Sequence, residues 1–188
     1  MAKVKFVTPK GRAKYPYLNT ADFEFDAEGK FKVQLLVDKV DAKAIAASID
    51  KVGEENFGPK DKWPQSLRLP IKTNEDDETQ YVLAMTSKFK PRIHNWNGRL
   101  HTETDEPTLW GGSLLKAGGE ISTYSGSSKG ISLYFNRIQV LEAVGPGSGG
   151  DSSEGFESED EYKPDGFDRE MTTGAPDGDQ ATAQSSDF

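Results

Sequence analysis

Phe31-Lys-Val-Gln-Leu-Leu-Val37 is the stretch that decides the fold. Phe31, Val33, Leu35 and Val37 recur at every second residue, and side chains alternate across a strand, so four apolar groups share one face. Residues 21–25 carry the same period, with Phe23 and Phe25 on one side and Asp22, Glu24 and Asp26 on the other. Glu28-Gly29-Lys30 lies between the two segments as a turn, and the whole predicts a hairpin. The three carboxylates read as a solvated strand face, because the turns and carbonyl ligands of a calcium loop are missing.

Outward from this hairpin the pattern stays mainly β. Residues 3–8 alternate and predict a first strand, and residues 11–17, with Arg12, Lys14, Tyr15 and Tyr17, predict a loop. After the hairpin comes one predicted helix, 42–56, with Asp41 as N-cap and Ile45, Ile49 and Val52 as its buried stripe. Gly53 weakens its last turn and Gly58-Pro59 ends it. In the following loop Trp63 is expected to pack on the core. Asn74–Glu78 reads as an acidic turn, and residues 81–89 as a strand. Residues 120–124 and 129–142 predict two more strands joined by Ser125-Gly-Ser-Ser. In the second, Ile131, Leu133 and Phe135 face one way, and a bulge near Asn136-Arg137 is needed for Ile138 and Val140 to continue that face. About seven strands with glycine-rich turns and one inserted helix predict a small barrel of the oligonucleotide-binding (OB) type.

Charge divides the chain in two. Residues 1–143 carry 21 Lys and Arg against 19 Asp and Glu, a net +2, whereas residues 144–188 carry 2 against 12, a net −10, together the −8 of the whole. Gly145-Pro-Gly-Ser-Gly-Gly reads as a flexible linker. Beyond it aliphatic residues almost vanish, so the segment cannot bury enough apolar surface to order itself, and 144–188 is expected to be a disordered acidic tail. Its aromatics are Phe156, Tyr162, Phe167 and the last residue, Phe188. With no cysteine, disulfides, thiolate metal sites and cysteine nucleophiles are excluded. No apolar run approaches the roughly 20 residues that span a bilayer, and the N-terminus lacks the apolar core of a signal peptide. A soluble intracellular protein without membrane contact is expected.

The strongest concentration of binding chemistry is Lys88-Phe-Lys-Pro-Arg-Ile-His-Asn-Trp-Asn-Gly-Arg99. Asn97-Gly98 suits a two-residue hairpin turn, which would set Trp96 opposite Arg99, His94 opposite His101, Arg92 opposite Glu103 and Lys90 opposite Asp105. Lys88, Lys90, Arg92, His94 and Trp96 would then share a face of cations and rings, which suits phosphate and base together. A solvated edge hairpin with cross-strand ion pairs remains the alternative. His94 and His101, with Glu103 near, make a two-histidine site conceivable. A zinc or iron site wants a third fixed ligand and partners that orient the rings, and paired hairpin histidines are more often surface or stacking residues, so no metal is expected. No phosphate loop or Ser-His-Asp arrangement is found, and neither catalysis nor a cofactor is expected. The candidate set for single-stranded nucleic acid is Arg12, Lys14, Tyr17, Lys88, Phe89, Lys90, Arg92, Trp96, Arg99, Tyr124 and Lys129. The competing readings are a protein-binding β-barrel adaptor and a carbohydrate-binding barrel using Trp63, Trp96 and Trp110.

Taken together, these features resemble the single-stranded DNA-binding protein of short-tailed bacteriophages. The resemblance rests on Tyr15-Pro-Tyr17 before the hairpin, the helix after Val37, Phe89-Lys-Pro-Arg92, Gly111-Gly-Ser-Leu-Leu115, a strand bearing Tyr124, a last strand ending Ile138-Gln-Val-Leu-Glu142, and an acidic tail ending Asp187-Phe188. It implies an OB barrel that coats single-stranded DNA in phage replication and recombination, in the cytoplasm of the infected bacterium. It implies a tail that competes for the DNA groove and, through Asp187 and Phe188, contacts the phage DNA polymerase and helicase–primase. A homodimer is left open by it. Tyr124 is implied as a stacking residue, although the family's tyrosine-plus-tryptophan pair is unmatched because Ser125-Gly126 follow it; Trp96 is the candidate for the tryptophan's role.

Overall fold

A computed structural model of the chain describes residues 4–24 and 26–145. The acidic tail, with Asp187 and Phe188, lies outside these residues. The described part is mainly β: β1 (Val4–Val7), β2 (Gly11–Asp22), β3 (Lys30–Asp38), helix α1 (Lys43–Phe57), β4 (Ile71–Thr73), β5 (Gln80–Ser87), β6 (Arg92–His94), β7 (Leu114–Ser125) and β8 (Lys129–Glu142).

Five of these strands close on themselves. The pairing runs β7-β2-β3-β5-β8, and β8 pairs back to β7. Within this ring only β5 and β8 are parallel, with Met85 opposite Leu133. This is the expected OB-type barrel, with β1 added outside β7, β6 outside β8 and β4 beside β5. The alternating positions fill its interior: Val33, Leu35, Val37, Leu83, Met85, Ile121, Leu133 and Phe135 are all at or near full burial. Truncating one such side chain to Ala costs about 2–5 kcal/mol.

Helix α1 buries Ile45, Ile49 and Val52 as predicted and packs against β1, β7 and β8. Its N-cap is Ala42 with no side-chain hydrogen bond, so Asp41 does not cap it. Gly53 is no simple weak point. A Cβ there would sit 2.3 Å from the Trp63 ring, and Trp63 packs against the core and donates its Nε1–H to the Gly58 carbonyl at 2.7 Å. The glycine makes room for the tryptophan.

The bulge in the last strand falls where the sequence requires it. Gly119 faces Phe135 and Gly118 faces Arg137, so Asn136 is the extra residue. The extra residue returns Ile138 and Val140 to the interior and turns Arg137 outward.

Two further sequence expectations are corrected. Residues 11–17 are not a loop but the first half of β2, which pairs with β3 through register shifts between Lys14 and Tyr17 and between Tyr17 and Asp22. The second hairpin does not have a two-residue turn. Gly98 alone takes positive φ, 86°, and its N–H donates to the Asn95 carbonyl while the Asn95 N–H donates to the Arg99 carbonyl. This is a three-residue loop closed by a left-handed glycine. The Asn95 and Asn97 side chains both accept from the Arg99 N–H, which fixes this wider loop. His94 therefore faces Leu100, not His101.

Candidate nucleic-acid interface

The register across the barrel assembles a site on the outer surface. Tyr17 of β2 faces Lys32 of β3, Lys32 faces Thr86 of β5, Thr86 faces Tyr134 of β8, and Tyr134 faces Glu120 of β7. Directly paired residues point to the same side of a sheet, so these form one row around the outside. A cleft of about 360 Å³ opens at its β2–β3–β5 end, lined by Tyr15, Tyr17, Glu24, Lys32, Gln34 and Thr86 among others. Gln34 and Ala84 are shared with a neighbouring cleft of about 250 Å³ that reaches Lys14, Lys72 and Asp76.

Rings and cations are already associated in this cleft. Lys32 Nζ lies 4.9 Å from the Tyr17 ring centroid and Lys14 Nζ 5.9 Å from that of Tyr15. Tyr15, well exposed, has φ of 51°, a left-handed backbone rare for a bulky residue and usual at binding sites. Carboxylates balance the cations: Lys32 pairs with buried Asp22 and Lys14 lies 3.8 Å from Asp76. The Asp22 carboxyl is held below its ordinary value by the hydrogen bond from Lys32 and then by the Glu24 N–H. At the β3 end Lys30 pairs with Asp26 at 2.6 Å, which holds the Asp26 carboxyl below its usual range and raises the Lys30 ammonium.

The candidates named from sequence are not brought to one place. Tyr17 lines the larger cleft and Lys14 the neighbouring one. Arg12 donates to the Gly112 carbonyl at 3.0 Å and pairs with Glu142 at 3.3 Å. Lys88 stands 4.0 Å from Glu28 with both side chains exposed, a contact of little strength. Lys90 pairs with Glu106 at 2.8 Å, not with Asp105, because Asn19 of β2 holds Glu106 and Pro107 against the barrel. Arg92 faces Arg137 across β6 and β8, not Glu103. Phe89, Trp96 and Arg99 are exposed, the two rings at 80% and 71%. Tyr124 faces Gly130 across the tip of β7 and β8 and its ring lies over that glycine; Lys129 is exposed beside it.

Lys32, Gln34, Thr86 and Tyr134, which join Tyr15 and Tyr17 here, were missed as a set. The alternation that buries Val33 and Leu35 also turns Lys32 and Gln34 outward, but only the strand register shows that Lys32 meets Tyr17 and Thr86 and that Gln34 meets Lys14 and Ala84. Among the described residues no group of three His, Cys, Asp or Glu side chains could hold a metal ion, and no described helix is long and apolar enough to cross a membrane.

Residues 4–167 match the family of the Enterobacter phage Enc34 ssDNA-binding protein. The chain belongs to that family. Solved structures of phage ssDNA-binding proteins share its fold. Bacteriophage T7 gp2.5 superposes with a TM-score of 0.64 at 19% identity, over 86% of this chain and 99% of that one. The bacteriophage Enc34 protein in complex with ssDNA superposes with a TM-score of 0.59 at 18% identity, over 76% and 88%. Among curated protein sequences none matches.

Proposed function

We propose that this member of the Enc34 family is a sequence-nonspecific single-stranded DNA-binding protein of phage DNA replication and recombination. The observation that carries the reading is the cleft on β2–β3–β5, where Tyr15 and Tyr17 stand beside Lys32 and Lys14. Every base has a π face, so ring platforms beside cations bind a strand without reading its sequence. The barrel, residues 1–143, coats DNA without catalysing a reaction. Phe89, Trp96 and Tyr124 add ring surface; Arg12, Lys14, Lys88 and Lys90 add phosphate contacts once their carboxylate partners are exchanged for DNA, and Arg92, Arg99 and Lys129 add theirs directly.

The −10 segment from residue 144 to Phe188 acts on the same groove. Tethered by its glycine-rich linker, it is present at high effective concentration and competes with DNA. Displaced by a strand, it offers Asp187 and Phe188 to the phage DNA polymerase and helicase–primase. The setting is the cytoplasm of the infected bacterium, with the protein acting singly or as a homodimer.

Fluorescence anisotropy of labelled oligo-dT, with the full chain and with a form ending at Gly145, tests both parts. The expected result is binding by both that weakens as salt rises, tighter for the shortened form. Absence of binding at low salt by either form would remove the nucleic-acid reading. Equal affinity would remove the competing tail.

A further inference from the structure

A second cleft, of about 180 Å³, lies on the outer surface past the bulge, lined by Val7, His94, Gly98, Lys116, Arg137 and Gln139 among others. Strand register explains its composition. Arg92 of β6 faces Arg137 of β8 and His94 faces Gln139; on the other side of β8, Arg137 faces Gly118 and Gln139 faces Lys116. Gly118 in turn faces Val7 of β1. Arg137 lies flat across Gly118, its Nε 2.5 Å from where a Cβ would stand, so the glycine sets the guanidinium down on the sheet. Without the Asn136 bulge, alternation would turn Arg137 inward.

The charge balance here is unlike that of the ring-lined cleft. There Lys32 and Lys14 each have a carboxylate. Here, among the described residues, neither Arg92, Lys116 nor Arg137 has an ion pair, and two guanidinium-bearing residues face each other directly. Like charges placed opposite one another across strands are destabilising. A bound anion would reverse that cost, and exchange of a carboxylate partner would not be needed.

We propose that this face, formed by Arg92, Lys116 and Arg137, is a second contact site for the phosphates of the same DNA strand. The proposal rests on the single-stranded DNA reading and divides its labour: rings hold bases on β2–β3–β5, and cations hold phosphates on β6–β8–β7. The outer row of β8 joins the two, from Tyr134, paired with Thr86 of the first cleft, through Asn136 to Arg137. Adjacent strands are about 4.8 Å apart, so the three strand steps from β3 to β7 cover about 14 Å. A strand of several nucleotides reaches both sites and a shorter one only the first.

The test compares the full-length wild type with the Lys116→Gln/Arg137→Gln variant, both residues lining the cleft, on oligo-dT of about 4 and about 16 nucleotides, the limits of site size for one barrel. The expected result is unchanged affinity for the short strand. For the long strand, affinity falls and the slope of log K against log salt becomes shallower by about 1.4, at roughly 0.7 per phosphate contact. An unchanged long-strand slope, or equal losses on both strands, overturns the proposal. If the wild type binds neither strand, the DNA reading itself has failed. A measurement free of substitution keeps the proposal testable should the variant be unstable: the amide resonances of Lys116, Gly118 and Arg137 should move with the long strand and not with the short one. If they move instead when the tail is removed beyond Gly145, and not with DNA, the acidic tail is the occupant and the proposal is wrong.

Discussion

Lys32 holds its ammonium 4.9 Å from the centroid of the Tyr17 ring, and the two residues are direct partners across β2 and β3. A cation over a ring is attracted by its quadrupole, so the pair fixes the ring's position before any base arrives. Tyr17→Ala removes the platform and the seat of the cation together. Affinity for oligo-dT is expected to fall by about 1–3 kcal/mol, the range for one stacked base, while Tyr17→Phe keeps affinity close to the wild-type value. Anisotropy titrations decide it, and wild-type affinity in Tyr17→Ala would take this ring out of the interface.

Tyr15 offers a test in which stability and binding should move in opposite directions. Holding a non-glycine residue in the left-handed region costs about 1–3 kcal/mol, whereas the extra chain entropy of a glycine costs about 0.5–1 kcal/mol. Relief of the strain outweighs the added entropy. Tyr15→Gly is therefore expected to raise the urea midpoint and to weaken oligo-dT binding. A variant with lowered stability and intact binding would show that the ring serves packing.

Asp22 restrains the cleft's charge. Its carboxylate pairs with Lys32 and accepts from the Glu24 N–H at 2.9 Å. Asp22→Asn keeps an acceptor for that N–H and deletes the negative charge. Binding of oligo-dT is expected to tighten and to depend more steeply on salt, since Lys32 then meets phosphate without the Asp22 carboxylate competing for it. Unchanged or weaker binding with native stability would mean that the Lys32–Asp22 pair persists alongside DNA.

Gly53→Ala should behave contrary to the usual helix rule. In an exposed helix interior the exchange is worth roughly 1 kcal/mol in favour of alanine. Here the new methyl would stand 2.3 Å from the Trp63 ring, and overpacking typically costs about 1–3 kcal/mol. The chemical-denaturation midpoint is expected to fall. A rise would mean that the tryptophan can leave Gly53 without loss.

What the sequence disclosed follows from the range of each interaction. Val33, Leu35, Ile45, Ile49 and Leu133 were readable as core because one buried face imposes a period on neighbouring residues. The Asn136 bulge was readable because two apolar phases had to be joined. Strand β2 was not readable over residues 11–17, since Gly11, Pro16 and the two register shifts hide its alternation. The hairpin after His94 was misread by one residue because Asn95 and Asn97 both bind the Arg99 N–H, which selects a longer loop. The ring-lined cleft depends on partners far apart in the chain, and only closure of the barrel brings Tyr17, Lys32, Thr86 and Tyr134 into one row.

Acid should reveal the carboxylates that the fold uses. Asp22 and Asp26, each hydrogen-bonded first by a lysine, and Asp77 and Asp105, each hydrogen-bonded first by a threonine, all lie below the ordinary 3.8. A carboxyl depressed in the folded state binds its proton less readily there than in the unfolded chain, so its contribution is fully present above the unfolded value and lost as pH falls through the folded one. Stability is therefore expected to be level in these groups above about pH 5 and to decline below 3.8. Asp22→Asn should decline less steeply than the wild type over the same acid range, because one of the depressed groups no longer titrates. Urea midpoints measured across that range check it; parallel acid limbs in the two proteins would mean that Asp22 titrates alike in the folded and unfolded chains.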